Sequence, residues 1–181
     1  MMFVDQAAAI LLRGGVIAYP TEGVFGLGCL PDRLDAIQRL LRIKNRDPAK
    51  GLILIAADAS QLDGWIALPA GRSLPTPDPL TPITWVVPPD DKVAAIVRGN
   101  NDGVAVRLTT NPVAISLCNK VGSPLISTSA NLSGQPVARN PLILRRQFAS
   151  LVDYVVPGEC GPSSGPSEIR DLLTGKILRP R

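Results

Sequence analysis

The sequence predicts an α/β fold built on a mixed sheet. Short apolar segments with the length of buried strands alternate with longer segments whose apolar residues fall on one helical face. The 181 residues, 45% hydrophobic and 19% charged, suffice for one globular domain with its own core. No internal repeat or linker-like stretch divides the chain, so we expect residues 1–181 to form a single domain.

In the first part of the chain, helix boundaries follow from capping residues. Gly14-Gly15 closes a first helix and Asp32 caps a second, whose apolar face carries Leu34, Ile37, Leu40 and Leu41. In order, we predict a helix at Val4–Arg13, a strand at Val16–Tyr19, a Gly-rich loop at Pro20–Pro31, a helix from Asp32 through Ile43, a strand at Leu52–Ala56 and a short helix at Ser60–Ile66.

The second part alternates in the same way after an irregular segment with five prolines, Leu68–Pro82. Asn111 caps a helix with Pro112 in its first turn. The helix that Asn111 caps runs to Val121, and a second helix covers Pro141–Phe148. The predicted strands are Ile83–Val87, Val104–Leu108, Leu125–Thr128 and Tyr154–Val156. Pro157–Pro166 is expected to be mobile, and Glu168–Leu172 forms a hairpin with Ile177–Arg179.

The chain contains no histidine, which restricts its chemistry. Ser-His-Asp and Cys-His catalysis, two-histidine zinc sites and a histidine general base are all excluded. The three cysteines, Cys29, Cys118 and Cys160, form no C-x-x-C pair, so a zinc ribbon or thioredoxin site is not expected. Any reaction must use carboxylates, lysine, arginine, hydroxyls, backbone amides or a bound metal ion.

Charge and hydropathy predict a cytoplasmic protein with an anionic ligand. Lys and Arg total 19 against 15 Asp and Glu, a net charge of +4 that suits a nucleotide or RNA but is also common in other cytosolic proteins. The apolar stretch Gly51–Ala57 is far shorter than the roughly 20 residues that span a membrane. Asp5 and the lack of a basic leader argue against a signal peptide.

Polar residues at strand ends mark candidate ligand sites, because α/β proteins bind ligands there. The segment Tyr19–Gly23, followed by Gly26 and Gly28, is either a turn or a ligand loop, and it matches neither of the usual nucleotide fingerprints. Arg107 lies inside an apolar strand, where it is either an exposed edge residue or a grip for a carboxylate. Glu22, Glu159 and Glu168 are also possible magnesium ligands, although the sequence gives no rule that pairs them.

Two further segments carry groups suited to phosphate. Lys44, Arg46 and Lys50 follow a helix, and they either complement its dipole or clamp a polyphosphate. The segment Ser127–Asn131 places four hydrogen-bonding side chains after an apolar strand. It either forms a turn that caps the strand or binds phosphate, sugar or amino-acid groups.

Taken together, these segments resemble a known family. The sequence contains, in order, YPTEGVFGLG, a K-x-R at Lys44–Arg46, KGLILI, GVAVR, PLISTSANLSG, PSEIRD and a terminal LRP. This series resembles the threonylcarbamoyl-AMP synthase family, also called YrdC-like or TsaC-like, from Ile17 to Pro180. The chain is most similar to the short, single-domain form, which has nothing after the LRP.

The resemblance implies an open, twisted, mixed sheet with helices around a large, positively charged cavity. It also implies synthesis of L-threonylcarbamoyladenylate and pyrophosphate from L-threonine, bicarbonate or CO2, and ATP. A downstream threonylcarbamoyl-transferase complex would then transfer the threonylcarbamoyl group to the tRNA adenosine beside the anticodon.

The resemblance also assigns roles to individual residues. Lys44 and Arg46 would be catalytic and hold the phosphates, with Mg²⁺ held mainly by the ATP itself. Ile55 is apolar where family members often carry a polar residue near threonine. Threonine would be bound by Thr21, Arg107, Ser127 and Ser167, and ATP by Lys44, Arg46, Lys50, Ser129, Asn131 and Arg179.

Two other functions fit parts of the sequence. One is a module that binds double-stranded RNA or tRNA without catalysis, although aromatics are only 4% and no common RNA-binding signature is present. The other is a paralogue that adenylates a different substrate.

Overall fold

The computed structural model describes residues 2–181 and contains a nine-stranded open sheet flanked by helices. The strands lie side by side in the order β7-β1-β2-β6-β3-β5-β4-β8-β9. They are β1 (Ile17–Pro20), β2 (Phe25–Cys29), β3 (Ile53–Ala56), β4 (Ile83–Val87), β5 (Val104–Leu108), β6 (Leu125–Ser129), β7 (Tyr154–Val155), β8 (Glu168–Asp171) and β9 (Ile177–Arg179).

The helices are short and lie on both faces of the sheet. They are α1 (Met2–Leu12), α2 (Leu34–Lys44), α3 (Ala95–Arg98), α4 (Pro112–Val121) and α5 (Pro141–Phe148), with 3-10 turns at Pro48–Lys50 and Ala59–Leu62. None of the helices within residues 2–181 combines the length and the apolarity needed to cross a membrane.

The sheet mixes both strand directions. Strand β3 pairs parallel to β5 and antiparallel to β6, and the pairs β1–β7 and β4–β8 are also parallel. The remaining pairs, β1–β2, β2–β6, β4–β5 and β8–β9, are antiparallel. The predicted α/β class with a mixed sheet is therefore confirmed.

Alternation of side chains along the strands builds two apolar layers. Helices α2 and α5 pack on one face, where Ile37 and Phe148 join Leu54 of the sheet. Helices α1 and α4 pack on the other face, where Leu11 and Leu117 are buried with the sheet. Burial of these side chains is the main favourable contribution to folding.

The prediction of a loop over Pro20–Pro31 was wrong, because this range contains strand β2. Every residue of β2 is buried, and it pairs with β1 and β6. Its glycines leave room for neighbours. A Cβ on Gly28 would lie 2.4 Å from the carbonyl oxygen of Ile126 and 2.8 Å from a ring carbon of Tyr19. The glycines therefore permit close packing inside a strand.

Three smaller expectations also need correction. Asp32 does not cap α2, because the N-cap residue is Arg33, whose side chain makes no capping hydrogen bond. Leu34 is exposed and does not lie on the buried face of that helix. The helix expected at Ser60–Ile66 is only the short 3-10 turn. Helix α3 was not predicted, because its four residues are too short to show a periodic pattern.

The cap predicted at the start of α4 is confirmed. The side-chain oxygen of Asn111 accepts hydrogen bonds from the amides of Val113 and Ala114, as its predicted capping role requires. The predicted C-terminal hairpin also forms, as the antiparallel pair β8–β9.

Replacing Gly28 by alanine should destabilise the fold by about 1–3 kcal/mol, because the new methyl group meets backbone and an aromatic ring. Urea denaturation measures the change. Gly165→Ala is the matched control, since a Cβ there meets nothing within 4 Å. Equal stabilities of the two variants would contradict the packing role of Gly28.

Candidate active site

A cleft opens where the β1–β2 turn, the edges of β3, β5 and β6, and the 165–167 segment meet. It encloses about 610 Å³ of space, including solvent at its mouth. Seven of the residues expected to bind ligand line it, namely Thr21, Arg46, Arg107, Ser127, Ser129, Ser167 and Arg179.

Strand alternation explains why polar side chains from buried strands share this cleft. On β6, Leu125 packs under α1 and α4, and Ser127 and Ser129 follow it on the same face. Arg107 on β5 is paired with Ile55 of β3, beside the same face. The face is apolar where helices cover it and polar where it forms the floor of the cleft.

Arg107 forms a buried ion pair with Glu22. The guanidinium Nη2 lies 3.2 Å from Oε2 of the carboxylate, and the two side chains are only 9% and 2% exposed. The other carboxylate oxygen, Oε1, accepts hydrogen bonds from the Thr109 hydroxyl at 2.6 Å and the Thr110 amide at 2.8 Å. Oε1 of Glu22 is thus hydrogen-bonded within the protein, while Oε2 has the ion pair with Arg107 but no hydrogen-bond partner among residues 2–181.

These contacts fix the charge of Glu22. Burial alone would raise the pKa of Glu22, but the Arg107 charge and the bonds from Thr109 and Thr110 bring it below its usual value. Arg107 retains an unused donor, because its buried Nε has no hydrogen-bond partner among residues 2–181. A buried donor without a partner is costly, so the guanidinium of Arg107 is not fully satisfied within the protein.

Two more arginines converge on the cleft from other elements. Arg46 donates to the carbonyl of Gly51 at 2.9 Å, and Arg179 of β9 donates to the carbonyl of Ser167 at 2.6 Å. Burial and the nearby Arg46 and Arg107 cations lower the pKa of Arg179. The guanidinium groups of Arg46, Arg107 and Arg179 contact two carbonyls and one carboxylate, so their positive charges are only partly balanced within the protein. Together they form a surface suited to an anion with several charges.

Lys44, at the end of α2, lies behind the cleft wall and is 2% exposed. Its ammonium donates to the backbone carbonyl of Ser129, and to the backbone and side-chain oxygens of Asn131 at 2.9 and 3.0 Å. Burial, together with the charge of Arg46, lowers the pKa of Lys44 to about 8. Lys44 is thus a buried cation held by neutral oxygens, next to the cleft.

The hydroxyl groups of the cleft are held in fixed orientations. Thr21 donates to the carbonyl of Val24 at 2.7 Å, and Ser129 donates to the side-chain oxygen of Asn131 at 2.7 Å. Ser167 lies 2.6 Å from the buried hydroxyl of Thr84. Held hydroxyls bind a ligand with little loss of conformational entropy.

The remaining expected residues lie around the cleft rather than in its lining. Lys50 lines an adjoining cavity, about 680 Å³ with open solvent included, that shares Arg46 and Arg179 with the first. Asn131 contacts Lys44 and Ser129 at the back of the wall. The structure thus groups the expected residues into a deep cleft, a basic second cavity and a supporting layer.

Two sequence-based interpretations change at this point. Glu22, considered as a magnesium ligand, is paired with Arg107, and no group of three or more His, Cys, Asp or Glu within residues 2–181 is placed to hold a metal ion. Ile55 is fully buried in the core beneath α1 and α4, and Ile53 lines the cleft instead. Nothing in the sequence showed that Glu22 pairs with Arg107, because the two lie far apart along the chain.

Comparison with known proteins identifies relatives over nearly the full chain. The family model Sua5_yciO_yrdC, described as "Telomere recombination", matches residues 9–180. A threonylcarbamoyl-AMP synthase of Nitrosococcus oceani is 50% identical over 97% of this chain and 96% of its own length. A threonylcarbamoyl-AMP synthase of Xanthomonas axonopodis pv. citri is 45% identical over the same shares.

Solved structures share the fold. P. abyssi Sua5 complexed with L-threonine superposes with a TM-score of 0.86 at 28% identity over 98% of this chain. This chain spans about half of that protein, 53% of its length. E. coli YciO gives a TM-score of 0.81 at 23% identity over 98% of this chain and 88% of its own, a likeness of fold.

Lys44 should make folding stability depend on pH. Its pKa is about 8 in the folded chain against 10.5 for an ordinary lysine, so the unfolded chain binds more protons between these values. The contribution of Lys44 to stability therefore rises as pH rises from about 8 to about 10.5. Urea denaturation across this range should show a rise in the wild type that is smaller in Lys44→Met. Parallel pH profiles of the two proteins would contradict the lowered pKa.

Proposed function

The chain belongs to the Sua5/YciO/YrdC family, and on that premise we propose that it is a threonylcarbamoyl-AMP synthase. Such an enzyme is a nucleotidyltransferase that forms L-threonylcarbamoyladenylate and pyrophosphate from L-threonine, bicarbonate or CO2, and ATP. The observation that carries the proposal is the buried Arg107, whose Nε has no partner within residues 2–181, in a cleft with two more arginines and several hydroxyls.

Threonine occupies the deep end of the cleft in this proposal. Its carboxylate pairs with Arg107, and Thr21, Ser127 and Ser167 contact its remaining polar groups. A guanidinium that is already oriented by a buried carboxylate binds a second carboxylate at low entropic cost. The likeness to P. abyssi Sua5, which was solved with L-threonine, supports this assignment.

ATP occupies the basic side of the cleft and the adjoining cavity. Arg46 holds the phosphates, Lys44 adds positive charge from behind the wall of the cleft, and Arg179 contacts the nucleotide from β9. The shared lining of the two cavities by Arg46 and Arg179 favours a ligand that extends from one into the other. Lys50, Ser129 and Asn131 complete the ATP side.

The reaction needs charge stabilisation more than proton transfer. Threonine carbamate forms when the neutral amine adds to CO2 and a proton passes to solvent. The carbamate is an anion, and one of its oxygens attacks the α-phosphate while the bond to pyrophosphate breaks. The protein positions the two anions and stabilises the phosphate charge through Lys44 and the arginines. This division of work fits a chain with no histidine.

Mg²⁺ would enter with ATP. Glu22, a carboxylate of the cleft, is committed to Arg107 and Thr109, so the ATP phosphates would supply most of its ligands. The ion would add charge neutralisation at the phosphates.

The adenylate product is a mixed anhydride and must be consumed by an acyl-transfer reaction. We place that step on a downstream threonylcarbamoyl-transferase complex acting on tRNA, in the cytoplasm.

Pyrophosphate release tests the function directly. Purified protein with ATP and Mg²⁺ should release pyrophosphate only when both threonine and bicarbonate are present, and mass spectrometry should detect threonylcarbamoyl adenylate. Release that needs neither, or a different adenylate, would contradict the proposal and favour a paralogue. Absence of turnover in folded protein that binds RNA in a salt-dependent manner would favour an RNA-binding module.

Replacing Arg107 by alanine should raise the threonine KM, with a loss of about 2–4 kcal/mol in transition-state binding. The KM for ATP should change little, because Arg107 lies at the threonine end. Steady-state kinetics measure both constants, and circular dichroism checks folding. Arg72→Ala, at an exposed position, is the charge-matched control. An unchanged threonine KM in folded protein would contradict the role of Arg107.

A further inference from the structure

We propose that Glu22 is a positioning residue that holds the Arg107 guanidinium in the orientation that receives the threonine carboxylate. The inference rests on the proposed function and deepens it, since it concerns how the threonine side of that site is built. Glu22 acts through Arg107 and contacts no reacting atom in this assignment.

The geometry makes Glu22 a rigid support. Its Oε1 is fixed by the Thr109 hydroxyl and the Thr110 amide, which holds Oε2 at 3.2 Å from Arg107 Nη2, an ion-pair contact that is not aligned as a hydrogen bond. A carboxylate held by two donors on one oxygen cannot rotate without breaking both bonds. The guanidinium is planar, so an ion pair at Nη2 restrains the directions of its other N–H groups.

The backbone around Glu22 is held as firmly as its side chain. The carbonyl of Glu22 accepts a hydrogen bond from the Ser163 amide at 3.0 Å. The carbonyl of Thr21 accepts one from the Gly161 amide at 2.8 Å and one from the Asn111 side chain at 3.2 Å. The β1–β2 turn is therefore anchored to two other segments, and Glu22 cannot follow a displaced arginine.

Positioning of Arg107 by Glu22 and attraction of threonine by the local positive charge predict different results when Glu22 is removed. A close ion pair has little net charge, so Arg107 paired with Glu22 attracts a distant carboxylate only weakly. What the pair offers is a guanidinium held in one place at the cleft, with N–H groups that Glu22 does not occupy. Removing Glu22 would increase the local positive charge but lose the orientation, so charge and positioning predict opposite effects.

Glu22→Gln tests the inference because it is nearly isosteric. The glutamine carbonyl can still accept from Thr109 and Thr110, while its amide N–H groups face the Arg107 guanidinium and cannot pair with it. We expect the threonine Kd, measured by titration calorimetry, and the threonine KM to rise by about tenfold, a change within the range of coupling energies between residues in direct contact. The KM for ATP should stay within about twofold of wild type.

A second variant and two comparisons show whether the effect passes through Arg107. Thr109→Val removes one bond to Oε1 and should weaken threonine binding in the same direction, which keeps the inference testable if Glu22→Gln does not fold. Glu159→Gln removes a carboxylate at an exposed position and should leave both KM values unchanged. In an Arg107→Ala background, Glu22→Gln should no longer alter the threonine KM.

The outcomes are distinguishable. Tighter or unchanged threonine binding by folded Glu22→Gln, in a wild type that forms the product, would overturn the positioning role alone. Equal changes in the threonine and ATP constants would show a merely structural residue. A wild type that neither binds threonine nor forms the adenylate would overturn the proposed function and this inference with it.

Discussion

The cleft depends on one buried ion pair between Arg107 and Glu22. Taking both charges out of water is costly, and the cost is offset only because the Glu22 carboxylate also accepts bonds from Thr109 and Thr110. The pair joins strand β5 to the β1–β2 turn. The backbone bonds of that turn then fix the neighbouring segment that ends in Ser167. The ion pair thus joins two of the segments that line the cleft, and the alternation of side chains along β6 places Ser127 and Ser129 beside them.

Much of the fold was predictable from local chemistry. Strands β4 and β5 and helix α4 were predicted with their observed bounds, because apolar runs and the Asn111 cap are signals contained within a few residues. Strand β2 was missed for the opposite reason. Gly26 and Gly28 are read locally as loop residues, and only the tertiary contacts of Tyr19 and Ile126 show that a strand requires them.

The site was predictable by type of residue more than by arrangement. Seven of the expected residues line one cleft, because strand ends with polar side chains meet at one place in an α/β sheet. The sequence did not show that Lys50 and Asn131 lie outside the lining of the cleft. It also did not show that Lys44 is buried behind Ser129. Those distinctions depend on packing between segments that are distant along the chain.

Arg179 reaches the cleft from β9, an exposed strand at the edge of the sheet that pairs only with β8 within residues 2–181. Such an edge strand can separate from the sheet at a much smaller free energy than that of global unfolding. A ligand that engages Arg179 thus adds its own binding free energy to the closed state of this strand. Occupancy of the cleft and order at the sheet edge are thermodynamically linked, and amide hydrogen exchange at β9 would report on ligand affinity.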